Sequence, residues 1–304
     1  MLRRARPNPA VEPAAQAPPA HTAMPRPPAG ARNLIVVTLD SCRFDSWAAA
    51  RPEHLSRIGP VEARWSYASW TAPSHFNLLM GLLPHTSPKR VYASEYYKKD
   101  FLRYSERLGV KGIEWSRLVP SLYLPTFLRS ELGYRTHALV SLPVLNPSSP
   151  VNRDFDSFEL MPRHNDMAAM VDRLRFEEDR PSFWLLNVGE THYPYALPNE
   201  LPDNWPKISG LHGVVKHLDD ATDGLAVEFF TSVELKQLRD RQIEAVRYLD
   251  GVFAALFDRV PDDTWIIVTA DHGELFGEDG YFGHGPVNHE KVLEVPFVEG
   301  LVPR

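Results

Sequence analysis

The sequence predicts an α/β fold in which a mostly parallel central sheet lies between two layers of helices. Three largely apolar runs carry this prediction, at residues 34–39, 183–188 and 265–270, and the first is a continuous apolar, β-branched run. Such runs are typical of strands that are buried on both faces, as in a parallel sheet. Helical patterns alternate with these runs, which favours a three-layer α/β/α domain.

The helices and one further strand follow from local patterns. Helices are predicted over residues 71–81, 125–132 and 232–257, and a strand over residues 136–140. Ser232 is the expected N-cap of the longest helix, whose apolar residues recur at helical spacing. A loop rich in Pro, Asp, Asn and Gly is predicted over residues 196–224, where specificity for a substrate could be encoded.

Composition sets the domain boundaries and excludes several classes. Residues 1–31 are rich in proline and alanine and contain no aromatic residue, which predicts a disordered tail before a catalytic domain at 32–304. The net charge of −6 gives no indication of nucleic acid as a partner. No apolar run reaches the ~18 residues of a membrane span, and no secretory signal is evident. With Cys42 as the single cysteine, we expect a cytoplasmic location.

Two acidic residues follow buried strands. Asp40 comes directly after the first run, and Asp271 follows the last run and precedes His272. Ligands of open α/β sheets bind at the carboxyl ends of the strands, where these side chains could hold a metal ion. An aspartate at a strand end is also a common turn or capping residue, so each acid alone is weak evidence.

Thr71 precedes a proline at the start of a predicted helix, which makes it the expected N-cap. The positive field of a helix start favours an ionised hydroxyl, and a nearby cation would favour it more. The alternative is a plain N-cap that contributes about 1 kcal/mol of stability.

Five segments resemble, in order, the motifs of the alkaline phosphatase/sulfatase superfamily. They are VTLDSCRFD at 37–45, SWTAPSH at 69–75, NVGETHYPY at 187–195, ADHGE at 270–274 and FGHG at 282–285. The resemblance implies that one divalent ion is bound by Asp40, Thr71, Asp271 and His272. It also implies that Thr71 is the nucleophile.

The same resemblance implies that His192 and His284 contact the transferring group or the leaving oxygen. His75 and Glu190 are further candidates for contact with the substrate, with a structural helix residue and a loop acid as the respective alternatives. Imidazole with carboxylates suits Zn²⁺ or Mn²⁺ better than Mg²⁺ or Ca²⁺. A second ion held by Glu190, His192 and His284 is an alternative to the single ion.

Four departures from the family pattern shape the expected function. Sulfatases carry a cysteine or serine that is oxidised to an aldehyde, whereas Thr71 cannot form it, and His75 stands where sulfatases have arginine. Asp40 is followed by Ser41 instead of a second aspartate, which favours one fixed metal. The sequence stops at Arg304, so most of the usual C-terminal sulfatase subdomain is expected to be absent.

We therefore expect a metal-dependent hydrolase or transferase that acts on a phosphate ester or phosphodiester through a covalent threonyl intermediate. The substrate would be a small-molecule or lipid-like anionic ester. Three alternatives stay open at this point: a sulfuric-ester hydrolase without formylglycine, a specialised biosynthetic enzyme, and a non-catalytic binding member. No pattern in the sequence specifies an oligomeric state.

Overall fold

The central sheet confirms the predicted α/β class. A computed structural model describes residues 31–86, 123–201, 204, 216–217 and 231–304. Within these residues, seven strands form one sheet in the order β2-β10-β7-β1-β5-β3-β4. Their bounds are β1 Asn33–Leu39, β2 Glu62–Trp65, β3 Arg135–Val140, β4 Ser157–Leu160, β5 Ser182–Val188, β7 Thr264–Thr269 and β10 Glu294–Leu301.

Five neighbouring strands, β4, β3, β5, β1 and β7, are parallel, and β10 is antiparallel to both β7 and β2. The carboxyl ends of β1, β5 and β7 therefore meet at one edge of the sheet. A smaller, three-stranded antiparallel sheet has the strand order β6-β9-β8. Its strands are β6 Lys216–His217, β8 Leu275–Phe276 and β9 Tyr281–Gly283.

Helices cover both faces of the large sheet, as predicted. They are α1 Phe44–Ala50, α2 Thr71–Leu79, α3 Leu124–Leu132, α4 Met167–Arg173, α5 Ser232–Arg259 and α6 Glu290–Leu293. Ile35 and Val37 of β1 pack with α1, α4 and α5 in one core. Val36 packs with α2 and α3 in a second core on the opposite face. The alternation of β1 side chains thus divides the interior into two apolar layers.

The two predicted N-caps, Thr71 and Ser232, are each wrong by one residue. The N-cap of α5 is Thr231, whose hydroxyl accepts from the Glu234 backbone N–H while the Glu234 side chain accepts from the Thr231 N–H. This capping box satisfies two backbone donors, so the helix begins one residue after it. Trp70 is the N-cap of α2, and Thr71 is its first helical residue. The Thr71 hydroxyl is consequently not the helix cap.

Several predictions fall on residues outside those that the structure describes. The expected tail at 1–31 lies there apart from Ala31, and so does most of the loop at 196–224. In the described part of the chain, no helix combines the length and the apolar character that are needed to cross a bilayer.

Candidate metal and catalytic site

Asp40 lies at the carboxyl end of β1 and is fully buried. Its backbone N–H donates to Val188 O at 2.9 Å, which joins it to the end of the neighbouring strand β5. The Asn187 amide donates to Asp40 Oδ2 at 2.9 Å, and the Ser41 hydroxyl donates to Oδ1 at 3.2 Å. The carboxylate is thereby fixed in orientation at the edge of the sheet.

Asp271 and His272 follow β7, which pairs directly with β1. His272 is fully buried, and its Nδ1 lies 2.8 Å from Gly273 O. Because a carbonyl oxygen can only accept, Nδ1 carries the proton and Nε2 keeps its lone pair. This nitrogen lies 3.4 Å from Asp271 Oδ2 and 3.9 Å from Asp40 Oδ1. A backbone carbonyl thus sets the tautomer, as is common for metal-binding histidines.

Thr71 approaches the same nitrogen from α2. Its Oγ1 lies 3.3 Å from His272 Nε2, and the side chain is buried except for a 6% exposed fraction. Residues 201 positions apart in the sequence are therefore in contact. The structure brings together the four predicted metal-binding residues, from β1, α2 and the segment after β7.

The donor set fits a divalent cation. One ligand atom from each of Asp40, Asp271 and His272 can be chosen so that all three lie within 4.8 Å of one another. Asp271 Oδ2 is buried and accepts no hydrogen bond, although Oδ1 accepts from the backbone of Ser41 and His272. A buried carboxylate oxygen without a donor is costly unless a cation approaches it.

The pKa shifts of Asp40, Asp271 and His272 reflect the burial of these ionisable groups close to one another. Burial, and then the nearby Asp40, raise the pKa of Asp271 well above its ordinary value. Burial also opposes ionisation of Asp40, but His192, His272 and the Asn187 amide outweigh it and lower the pKa of Asp40. Burial lowers the pKa of His272 well below its ordinary value, so its ring is neutral. Two buried carboxyl groups this close together cannot both ionise without a large cost in free energy. A cation bound between them would lower that cost.

His192 and His284 lie beside this cluster. Their ring centroids are 5.3 Å apart, and the His284 ring is 4.3 Å from that of His272. His192 Nδ1 donates to Tyr193 O at 2.7 Å, and His284 Nδ1 lies 3.1 Å from Glu274 Oε1. Burial, with His192 next, lowers the pKa of His284 to about 3. His284 is therefore a neutral imidazole at neutral pH.

Glu274 positions His284 from inside the protein. It is fully buried, and its second carboxylate oxygen accepts a hydrogen bond from the Tyr195 hydroxyl. Burial raises the pKa of Glu274 to about 7. Tyr195, Glu274 and His284 form a continuous hydrogen-bonded chain that ends at the site.

A cavity of about 820 Å³ adjoins the cluster. Thr71, His164, His192, His284 and Tyr193 are the lining residues with a hydroxyl or an imidazole, and most of the other lining residues are apolar. The walls of the cavity are formed by the start of α2, the segments after β3 and β4, and the loops after β5 and β9. Two predicted catalytic histidines and Thr71 therefore share one cavity.

His75 and Glu190, the predicted substrate contacts, have other partners than this cavity. His75 is fully buried on α2, with Nδ1 2.8 Å from Thr71 O and Nε2 3.0 Å from Thr38 Oγ1. Glu190 is fully buried, and its Oε1 accepts from Met167 N at 2.8 Å at the start of α4. Neither residue belongs to the described lining of the cavity.

Two buried polar residues that the sequence reasoning missed support the site. Asn187 holds Asp40 and also accepts from the backbone N–H groups of Ser141 and Leu142, each at 3.2 Å. Gln242 of α5 donates to Ser41 O at 2.9 Å and to Thr191 O at 3.1 Å. Asn187 interrupts the apolar pattern of a buried strand, and Gln242 interrupts the apolar stripe of a helix. A polar residue at such a position was the feature of the sequence that could have identified both as buried hydrogen-bonding residues.

The second metal site weighed from the sequence does not form a ligand group within the described residues. The grouping of three or more metal-binding side chains found there consists of Asp40, Asp271 and His272. Glu190 is hydrogen-bonded to the start of α4, so its carboxylate and the imidazoles of His192 and His284 do not form a three-ligand group with one another.

A mostly parallel sheet with two carboxylates, an imidazole and a hydroxyl at its carboxyl edge defines the class of alkaline phosphatase-like proteins. Comparison with family models gives the narrower assignment. The model described as Sulfatase matches residues 32–298, so the chain belongs to the sulfatase family. A search of curated proteins gives no match.

Solved structures with the same fold include transferases and hydrolases. The C-terminal periplasmic domain of EcEptC from Escherichia coli, in complex with Zn, has a TM-score of 0.53 and 13% identity, covering 90% of this chain and 73% of that one. The soluble domain of lipooligosaccharide phosphoethanolamine transferase A from Neisseria meningitidis also has a TM-score of 0.53 and 13% identity, with coverages of 90% and 79%. Phosphonate monoester hydrolase from Agrobacterium radiobacter has a TM-score of 0.51 and 14% identity, with coverages of 90% and 68%.

These comparisons correct the predicted cytoplasmic location. The Escherichia coli neighbour is a periplasmic domain, which points to a location outside the cytoplasm. A single buried cysteine is compatible with either environment, because it forms no disulfide that would report on the compartment.

Proposed function

We propose that the chain is a metal-dependent hydrolase or transferase of a phosphate ester or phosphodiester, with Thr71 as the nucleophile. The convergence of Thr71 Oγ1 and two carboxylate oxygens, one from Asp40 and one from Asp271, around His272 Nε2 carries this proposal, with separations of 3.3 to 3.9 Å from that nitrogen. The substrate is an anionic ester, either small or lipid-like. Neighbours named as phosphoethanolamine transferase and phosphonate monoester hydrolase support phosphoryl chemistry.

Asp40, Asp271 and His272 would hold one divalent cation, with the Thr71 hydroxyl beside them. Their carboxylate and imidazole donors suit Zn²⁺ or Mn²⁺ better than Mg²⁺ or Ca²⁺, and the zinc complex of EcEptC supports zinc. When bound, such a cation neutralises charge on the ester and favours the ionised form of the Thr71 hydroxyl.

The side chains of the cavity account for the remaining chemistry. Thr71 Oγ attacks phosphorus, and the bond from phosphorus to the leaving oxygen breaks, with its electron pair going to that oxygen. His192 or His284 carries the Thr71 proton to the leaving oxygen. The oxygen of water or of an acceptor hydroxyl then attacks phosphorus, and the bond from phosphorus to Thr71 Oγ1 breaks with its electron pair going to Oγ1. The same imidazole takes the proton of the attacking group and passes it to Thr71 Oγ1. Water gives hydrolysis, and an acceptor hydroxyl gives transfer.

His75 and Glu190 act indirectly in this scheme. His75 donates to the Thr71 carbonyl and contacts Asp271, since Nδ1 is 3.8 Å from Asp271 Oδ2. It therefore positions the nucleophile and one metal ligand. Glu190 positions the segment that carries His192, because its carboxylate joins this segment to the start of α4.

Metal analysis and turnover of aryl esters by Thr71→Ala test the proposal. We expect about one tightly bound transition metal per chain in the wild type and in the variant, with turnover lost only in the variant. The phosphoryl adduct trapped in the wild type should map to the peptide that contains Thr71. Thr126→Ala is the matched control, since Thr126 also lies in the first turn of a helix and its hydroxyl donates to Asp154.

Wild-type turnover in Thr71→Ala would exclude this residue as the nucleophile. A wild-type protein that binds no metal and keeps its activity in a chelator would exclude the metal. A second candidate, hydrolysis of sulfuric esters without the aldehyde, is favoured by the family model itself. Phosphate, phosphonate and sulfate esters with one shared aryl leaving group separate the two, and we expect the phosphoryl compounds to react faster.

A further inference from the structure

Thr71, His192 and His284 place polar groups where the cavity adjoins the candidate cation ligands. Most of the remaining lining is apolar and comes from the start of α2 and the loops after β3, β5 and β9. The apolar lining residues are Trp70, Pro73, Leu142, Val144, Pro194 and Pro286. Trp70 is 50% exposed and Val144 is 51% exposed, although both are large apolar side chains. Exposed apolar groups gathered at one cavity are typical of a surface that a ligand covers.

Charge is absent from the described lining of this cavity. None of those residues is a lysine, an arginine, an aspartate or a glutamate. A sugar or a nucleotide bound there would lose water from its polar groups without gaining partners in the apolar part, at a cost of about 1–3 kcal/mol for each group. The lining therefore selects against polar groups beyond the reacting phosphoryl.

The volume also exceeds what the reacting group requires. A cavity of about 820 Å³ has the space of about 27 water molecules at roughly 30 Å³ each. A tetrahedral phosphoryl group fills only a few of those volumes. Most of the cavity is consequently available to the group that the phosphoryl carries.

We propose that this cavity binds an uncharged apolar group, an alkyl chain or an aryl ring, attached to the phosphoryl centre of the substrate. The proposal rests on the proposed function for the position of that centre, and it deepens it by naming the substrate class. The three imidazoles and Thr71 contact the phosphoryl end, and the segment around Val144 contacts the apolar end. Removal of this apolar surface from water provides the binding free energy.

A series of n-alkylphosphonates tests the proposal without any turnover. Methyl-, butyl- and hexylphosphonate are titrated into the zinc-loaded full chain by calorimetry, below the concentrations at which they form micelles. We expect the affinity to rise about twofold to fourfold for each added methylene, with an increasingly negative heat-capacity change. Inorganic phosphate should compete with every member of the series, because all of them share the phosphoryl end.

Val144→Asp places a charge in the apolar part and should abolish the increase in affinity with chain length. Val233→Asp is the matched control, because Val233 is 63% exposed, lies in the first turn of α5 and is not part of the described lining. It should bind the series as the wild type does. Equal affinity for methyl- and hexylphosphonate, or an unchanged increase in Val144→Asp, would overturn the proposal.

The two proposals fail separately. If Thr71→Ala keeps its turnover while the chain-length series behaves as expected, the nucleophile is wrong and the apolar subsite stands. If phosphoryl esters are turned over through Thr71 but the series is flat, the function stands and the substrate class is wrong.

Discussion

Replacement of Glu190 by glutamine should stabilise the protein at neutral and alkaline pH. Burial raises the pKa of Glu190 from 4.5 to about 7, against the opposing hydrogen bond from Met167 N–H. Folding therefore favours the protonated carboxyl group, and its contribution to stability is fully present below pH 4.5 and is lost as the pH rises through about 7. At about 1.4 kcal/mol for each pH unit, the loss is about 3 kcal/mol by pH 8.

Urea unfolding of the wild type and Glu190→Gln at pH 4.5 and pH 8 measures this difference. The free energy of unfolding of the variant, relative to that of the wild type, should be higher at pH 8 than at pH 4.5 by about 3 kcal/mol. Metal binding changes with pH in both proteins and cancels in the comparison. Glu131→Gln removes one exposed charge and should leave the pH profile unchanged. Parallel stability profiles for the wild type and Glu190→Gln would refute the reasoning.

Two further substitutions test the support of the metal ligands. Asn187→Ala leaves Asp40 Oδ2 without its donor and two backbone N–H groups after β3 without an acceptor. It should cost about 3–5 kcal/mol in urea unfolding and weaken metal binding about 10- to 100-fold in a chelator competition, and unchanged metal binding would argue against its role. In Gly273→Ala the new Cβ would lie 2.1 Å from Lys291 O, so the backbone beside His272 must shift. We expect weaker metal binding and a lower midpoint of thermal unfolding. A variant that matches the wild type in both would show that the backbone at Lys291 can move away from the new Cβ at little cost in free energy.

The sequence predicted the central buried strands well because burial on both faces requires a largely apolar run. Strand β10 gives no such signal, since Pro296 and the charged Glu294 and Glu299 interrupt it and its partners are antiparallel. The short strand β2 contains two exposed residues among four. The sequence patterns therefore located the centre of the sheet but missed β2 and β10, which lie at one edge.

The proposed ligands Asp40 and Asp271 could be located from the sequence because each comes just after a buried strand, whereas the residues that support them could not. Asn187 and Asp40 are 147 positions apart, and Gln242 and Ser41 are 201 apart. No local pattern specifies which carbonyl or carboxylate a buried amide will meet. For His75 the difficulty was the orientation of the side chain. The residue lies four positions after Thr71 and therefore on the same side of the helix, but this spacing does not determine which way the imidazole ring points. The structure turns its ring inward towards Thr38.

Gln242 joins the long helix α5 to two turns at the carboxyl edge of the sheet. The side-chain amide of this residue, within a 28-residue helix, donates to the turn after β1 and to the turn after β5. A displacement of the helix would therefore change the separation of the two turns. A contact on the outer surface of α5 would in this way change the geometry of the proposed cation ligands from outside the cavity.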